Sequence, residues 1–326
     1  RQVENAHLNF CRIVSNCWNL FAENNVKKIL FLLSILSIAC FAGDYWNADP
    51  GASSMKFLYL KASPRQAAIS GAGVAFPASP AELARNPLAS LSAEKAEIGL
   101  NQIIFSDDVD AHFTSLYYAL PYKQFAFSAG LEFLGYGDLE GRDEDGFLTG
   151  EYSSSAYALQ LGVGFSPNMF RWAVSARFAS QTIDDATAFG FLADAGAMVN
   201  LNKYFSFGAS LTNVGYVTSY ESEHEVPPTA LQSGITALIP KLYIFSVALH
   251  ADLYRRADSD MHFLIGLELA YHDILVLRMG YALRPDTEDG LSGGLGIHFG
   301  KIEVEYAYAA NPSLGGNHHL RLGLKF

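Results

Sequence analysis

QFAFSAGLEF, Gln124–Phe133, reads two residues at a time: Phe125, Phe127, Ala129, Leu131 and Phe133 on one side, Ala126, Ser128, Gly130 and Glu132 on the other. Successive side chains of an extended chain point to opposite faces, so this is a strand with one apolar face and one small, polar face. YALQLGVGF repeats the pattern, with Tyr157, Leu159, Leu161, Val163 and Phe165 against Ala158, Gln160, Gly162 and Gly164. MHFLIGLELAY sets His262, Gly266 and Glu268 opposite Phe263, Ile265, Leu267 and Leu269. The closing NHHLRLGLKF sets Leu320, Leu322, Leu324 and Phe326 opposite Arg321 and Lys325.

About fourteen such segments run from near Glu97 to Phe326, each close to the length of a tilted strand that crosses a bilayer. Their connections alternate. One set is tight, as at Pro121-Tyr122-Lys123, Leu201-Asn202-Lys203 and Gly300-Lys301; the other is often longer and acidic, as in DLEGRDEDGFLTGEYSSS and YVTSYESEHEVPP. An even count, short turns on one side and long loops on the other predict an all-β fold, an antiparallel transmembrane β-barrel of the outer membrane. Phe125, Phe165, Phe205, Tyr243, Tyr271, Phe299 and Phe326 fall beside tight turns or the chain end, where a periplasmic aromatic girdle belongs. A soluble sandwich would use such aromatics as core, but it gives no reason for loop lengths to alternate.

The 326 residues are 50% hydrophobic and 17% charged, with a formal net charge of −11. That balance excludes a nucleic-acid footprint, which needs a basic stripe against the phosphates. The apolar run Ile29–Ala42 is shorter than the roughly 20 residues of a spanning helix, and it follows Lys27-Lys28. It reads as a signal peptide over residues 26–42, cleaved after Ala42, with residues 1–25 an upstream extension outside the fold and Val26 the true start. Cys11, Cys17 and Cys40 all lie in that part, so the exported chain has no disulfide framework. LSIAC also loosely matches a lipobox at Cys40, with Ser37 where that motif prefers Leu.

Residues 43–92 precede the barrel, which takes residues 93–326. Within them SPAELARNP carries Ser79 as N-cap, Pro80 at the first helical position, Glu82 three residues after the cap, and a stop at Asn86-Pro87, predicting a helix of about two turns. The Gly-rich ISGAGVAF before it includes Gly71, Gly73 and Phe76. A segment too short to be a domain, at the periplasmic start of a barrel, most simply plugs the lumen or its mouth.

If the apolar stripes face lipid, Glu132, Arg177, Asp194, Asp252, Glu268, Arg278, Glu303, Glu305, Arg321 and Lys325 point inward. Charges crowded there pair with one another, giving an ion-paired interior in preference to a solute pathway. His318 and His319 are adjacent, so they point to opposite faces and read as an exposed loop-end pair. His250, His262 and His298 point inward without the spacing of a metal site, and no nucleophile motif or phosphate loop is present. No catalytic, cofactor or metal residues are assigned. The acidic runs Asp143-Glu144-Asp145 and Glu221, Glu223 and Glu225 read as a solvated face, with divalent cations at the lipopolysaccharide layer as the sharper alternative.

FLYLKASPRQAAISGAGVAFPASPAELARNP, Phe57–Pro87, resembles the entry segment of the PorV/PorQ family of outer-membrane proteins. DGFLTGEYSSSAYALQLGVG, FSVALHADLYR, LRMGYALR and GGLGIHFGKIEVEYAYAANPSLGGNHHLRL look like the corresponding parts of its PorQ-like branch. The resemblance implies a fourteen-strand FadL-like barrel. It also implies a non-enzymatic scaffold or anchor in type IX protein secretion and cell-surface attachment, with a protein partner of that complex beside the membrane lipid and lipopolysaccharide. The alternative is a FadL-like transporter of hydrophobic small molecules, which needs an apolar cavity behind the plug.

Overall fold

The computed structural model describes residues 48–49 and 51–326, apart from 107–109, 138, 143–144, 168, 221–224, 243, 273, 285–289 and 311–314, and apart from the side chains of 240–242. The expected extension and signal segment, Cys40, Tyr243, and Asp143, Glu144, Glu221 and Glu223 of the acidic loops lie outside the described residues.

Among the described residues sixteen strands follow one another, the first half being β1 (Glu97–Ile104), β2 (Ala111–Tyr122), β3 (Phe125–Tyr136), β4 (Leu139–Arg142), β5 (Leu148–Tyr152), β6 (Ser154–Phe165), β7 (Phe170–Ile183) and β8 (Ala186–Asn200). The second half holds β9 (Phe205–Val217), β10 (Ala230–Leu242), β11 (Phe245–Arg256), β12 (Met261–Tyr271), β13 (Leu275–Leu283), β14 (Gly290–Phe299), β15 (Ile302–Ala309) and β16 (Asn317–Lys325). Fourteen of them form one closed antiparallel barrel; β4 and β5 make a separate hairpin within a long loop. Sequence neighbours pair throughout. The seam joins β1 to β16, from Glu97 opposite Lys325 to Ile104 opposite His318.

The alternation sets the two faces. In β3, Phe127 and Leu131 are exposed on the outside while Ser128 and Glu132 are buried within. Leu161, Phe191, Met279 and Leu322, from strands all round the wall, are each more than half exposed. A soluble protein rarely leaves a continuous apolar belt in water, so this surface is one that faces hydrocarbon. Tight turns close one rim, with Lys123, His272 and Gly300 supplying positive φ where the chain reverses. At the other rim the connections are mostly longer, with Asp184-Asp185 between β7 and β8 and 257–260 between β11 and β12 the short ones among the described residues.

A bulge interrupts the wall midway along β8. Between β8 and β9 the register shifts across Ala193 and Ala195, and Asn213 adopts φ 58 with its amide donating to Asp194 Oδ1 at 2.7 Å. The inward carboxylate of Asp194 thus satisfies the amide that the bulge removes from the ladder.

The N-terminal segment departs from the expected two-turn helix. Ser79 does cap a turn, accepting from the Ala81 amide while Glu82 accepts from the Ser79 amide, but the turn is a 3₁₀ helix of three residues, Pro80–Glu82. Pro87 holds Asn86 extended at φ −140, which stops any helix there, and Asn86 then caps a second 3₁₀ stretch, Pro87–Ser92. A 3₁₀ turn at Lys56–Tyr59 and the helix α1, Pro64–Ala68, were not anticipated.

Because Leu159 sits midway along β6 and faces outward, Leu159→Arg is expected to cost the membrane-inserted protein about 2–4 kcal/mol. Urea unfolding in lipid vesicles measures this; an unchanged midpoint would contradict the assigned facing.

Candidate functional site

Residues 53–92 run through the barrel. Ser54 donates its amide to the Val226 carbonyl at 3.1 Å at the long-loop rim, and Ser90 and Leu91 lie against Gly164 at the tight-turn rim. The wall makes room with small residues. A Cβ on Gly280 would lie 2.3 Å from the Ile69 carbonyl carbon, and one on Gly208 2.8 Å from the Ala75 Cα. The segment's own carbonyls and amides are taken up by wall side chains: Ser292 donates to Ala68, Ser206 to Ala75, Gln232 to Gly71 and Arg177 to Ala84, while Asp252 accepts from the Val74 amide. Side chains stand in for the ladder that an irregular segment cannot make.

One residue of the plug ties it to the wall by charge. Arg65, fully buried in α1, reaches Glu82 at 2.9 Å and grips Glu268 of β12 through both Nε and Nη2. From Glu268 a chain of ion pairs continues round the wall, to Arg278 at 2.9 Å, Glu305 at 2.9 Å and Arg321 at 3.1 Å. Arg321 then holds Glu97 and Glu303, each at 2.6 Å, and Lys325 closes on Glu303. His250 and His298 join at Glu268 and Glu305. A second cluster centres on Arg177, 3.3 Å from Asp194 and 3.5 Å from Glu132.

Sequence reasoning missed Arg65 and Glu97, the two groups that join the plug and the seam to this network. It also missed an apolar patch at the long-loop end of the lumen. Ile103, Phe113, Leu134, Leu192 and Val217 point inward there, and Met55, Phe57 and Leu58 of the plug cover them. The signal was available: Ile103-Ile104, Phe133-Leu134, Phe191-Leu192 and Tyr216-Val217 are doubled apolar pairs at the loop ends of strands, breaking the alternation.

Gly71 and Gly73 take φ of 91 and 94, and Phe76 stacks near His250 while Arg65 stands over its ring. Of the expected aromatic girdle, Phe125, Phe205, Tyr271, Phe299 and Phe326 are exposed at the tight-turn end, and Phe165 is half-buried between Phe125 and Trp172. The expected exposed histidine pair is not one: His318 is exposed and bonded to the Tyr306 hydroxyl, whereas His319 is buried in the lumen. A strand that separates neighbours onto two faces leaves only one of them in solvent. At the tight-turn mouth a cleft of about 200 Å³ lies beside Phe76 and Pro77, lined by Met198, Phe205 and Leu238 together with Arg171 and Lys203.

No family model and no characterised protein sequence matches this chain. Solved structures do. The toluene transporter TbuX of Ralstonia pickettii is 15% identical at a TM-score of 0.57, over 81% of this chain and 98% of that one. The CymD monoaromatic hydrocarbon channel is 14% identical at 0.59, over 84% and 99%. A FadL homologue of Pseudomonas aeruginosa is 11% identical at 0.52, over 81% and 98%. The fold is therefore that of the FadL-like outer-membrane barrels.

Arg65→Met leaves Glu82 and Glu268 buried without their shared partner, a loss of about 3–5 kcal/mol for such pairs. Amides of residues 64–92 are expected to exchange faster while those of the barrel strands do not; equal protection would refute the tether. Gly280→Ala is expected to raise exchange over the same residues, because the added methyl meets plug backbone.

Proposed function

We propose that the chain is an outer-membrane channel that passes small hydrophobic molecules, with the segment of residues 53–92 as its gate. The observation that carries this reading is the apolar patch at the long-loop end, occupied by Met55, Phe57 and Leu58. Three plug side chains fill a space that would take an apolar solute once they withdraw. The long acidic loops would then face outward and the tight turns the periplasm, where the cleft beside Phe76 forms the exit. The likeness to toluene and monoaromatic hydrocarbon channels supports the same solute class by analogy of fold. Outer-membrane lipid and lipopolysaccharide are the surroundings of the belt, and no chemistry on the solute is assigned.

A second reading follows the PorV/PorQ resemblance: a scaffold of type IX secretion that holds a surface-attachment partner on its outer loops. The ion-paired lumen favours it, since a barrel that passes nothing gains rigidity from such filling.

Ser70 and Ser292 place their hydroxyl oxygens 2.8 Å apart, on the plug and on β14. In cells that express Ser70→Cys/Ser292→Cys, oxidation is expected to bring uptake of a labelled monoaromatic compound down to vector background, and reduction to restore it. Uptake that never exceeds background in the unmodified protein would overturn the channel reading. Uptake that survives oxidation would overturn the gate alone. Capture of a large surface-attachment protein on the tagged barrel would favour the scaffold.

A further inference from the structure

The cleft of about 200 Å³ at the tight-turn mouth lies between plug residue Phe76 and strands β7 to β10. Met198 of β8 and Leu238 of β10 line it beside Phe76 and give it an apolar side. Arg171 of β7, Asn200 of β8 and Lys203 of the β8–β9 turn give it a polar one. The strand period puts the first two there: Arg171 is two residues from buried Ala173 and Asn200 two from buried Met198, so both point into the lumen at its rim. The turn beside them is held in shape, since the Asn202 side chain accepts from the amides of Tyr204 at 2.7 Å and Phe205 at 3.0 Å.

Deeper in the lumen Arg65, Arg177, Arg278 and Arg321 each meet an acid. Arg171 forms no ion pair among the described residues, and its Nε is buried without a hydrogen-bond partner. The tight turns of its own and the neighbouring strands bring no acid: residues 166–169 are Ser-Pro-Asn-Met, 201–204 Leu-Asn-Lys-Tyr and 240–244 Pro-Lys-Leu-Tyr-Ile. A half-buried guanidinium keeps its charge where an ammonium readily gives up its proton, so an anion entering the cleft is what offsets it. Lys203 is exposed, its Nζ 4.8 Å from the Tyr204 ring centroid, and salt screens it. One fixed fork of one charge matches one carboxylate, which it can hold through two parallel hydrogen bonds. The apolar side calls for an apolar body on that carboxylate. Its size is bounded, because sites for drug-sized ligands run from about 300 to 1,000 Å³ and this cleft is smaller.

We propose that the cleft binds a small aromatic monocarboxylate, its carboxylate on Arg171 and its ring against Phe76, Met198 and Leu238. The site does not depend on passage of a hydrocarbon through the lumen. Fluorine NMR of para-fluorobenzoate titrated with the full chain in an uncharged detergent, against empty micelles, tests it. Saturable binding is expected, displaced by benzoate and far less by acetate, which lacks the ring, or by benzyl alcohol, which lacks the charge. Arg171→Met is expected to weaken binding about tenfold, the scale of one charge-assisted contact. Arg171→Lys, which keeps the charge and loses the fork, is expected to fall between, and Lys203→Met to change affinity less than about twofold at physiological salt. Heat-modifiable gel mobility verifies that each variant is folded. Binding is read here without transport, so loss of this site and loss of hydrocarbon uptake are separate results. Absence of saturable binding beyond that of empty micelles, affinity unchanged in folded Arg171→Met, or displacement by acetate or benzyl alcohol as strong as by benzoate would overturn the assignment.

Discussion

In hydrocarbon no water is present to satisfy a backbone amide, so a sheet that crosses a membrane can leave no edge unpaired. Every other feature of this chain follows from that constraint. The pairing of Glu97–Ile104 with His318–Lys325 removes the last two edges, and once the sheet is closed it has an inside. Residues spaced two apart are then committed to lipid or lumen. Leu320 and Leu322 must be apolar for the same geometric reason that Arg321, between and opposite them, must find acids.

The inside creates a second problem. A lumen crossed by an irregular segment brings in backbone groups with no ladder and charges with little water, and each needs a partner. The wall answers with hydroxyls, amides and carboxylates at inward positions, and Arg65 carries charge from plug to wall. Replacing such a network with apolar residues can leave a protein as stable, so the ion pairs are better understood as specifying one seat for the plug than as the main source of stability. An apolar plug against an apolar wall could slide. A guanidinium held by Glu82 and Glu268 cannot shift without leaving a charge exposed to a poor solvent. The apolar contact of Met55, Phe57 and Leu58 lacks that penalty, which is why the two ends of the plug differ in what it takes to release them.

The strands were legible because lipid imposes a strict rule on every second residue. Glu132, Glu268 and Arg321 could be assigned to the lumen from that rule alone, and the structure buries all three. Arg65 was not legible: it sits in a segment with no period, where nothing local distinguishes a buried arginine from a solvated one. The helix at Ser79 was over-read because its capping box is real, yet a capping box fixes a first turn and not a second. Leu134 and Leu192 were hidden differently. Their inward apolar side chains sit beside outward apolar ones, and a rule that expects polar lumen residues takes both as lipid-facing.

The plug precedes β1 in the chain, and the seam joins the two ends of all that follows. Pairing Glu97 with Lys325 closes a loop that runs through every strand of the barrel, and loop-closure entropy makes such a contact costly to form early. Once closed, the wall surrounds the N-terminal segment, whose backbone lies against Gly208 and Gly280. A segment so enclosed has two ways out, the mouths of the barrel, and any displacement of it runs along the barrel axis and not through the wall.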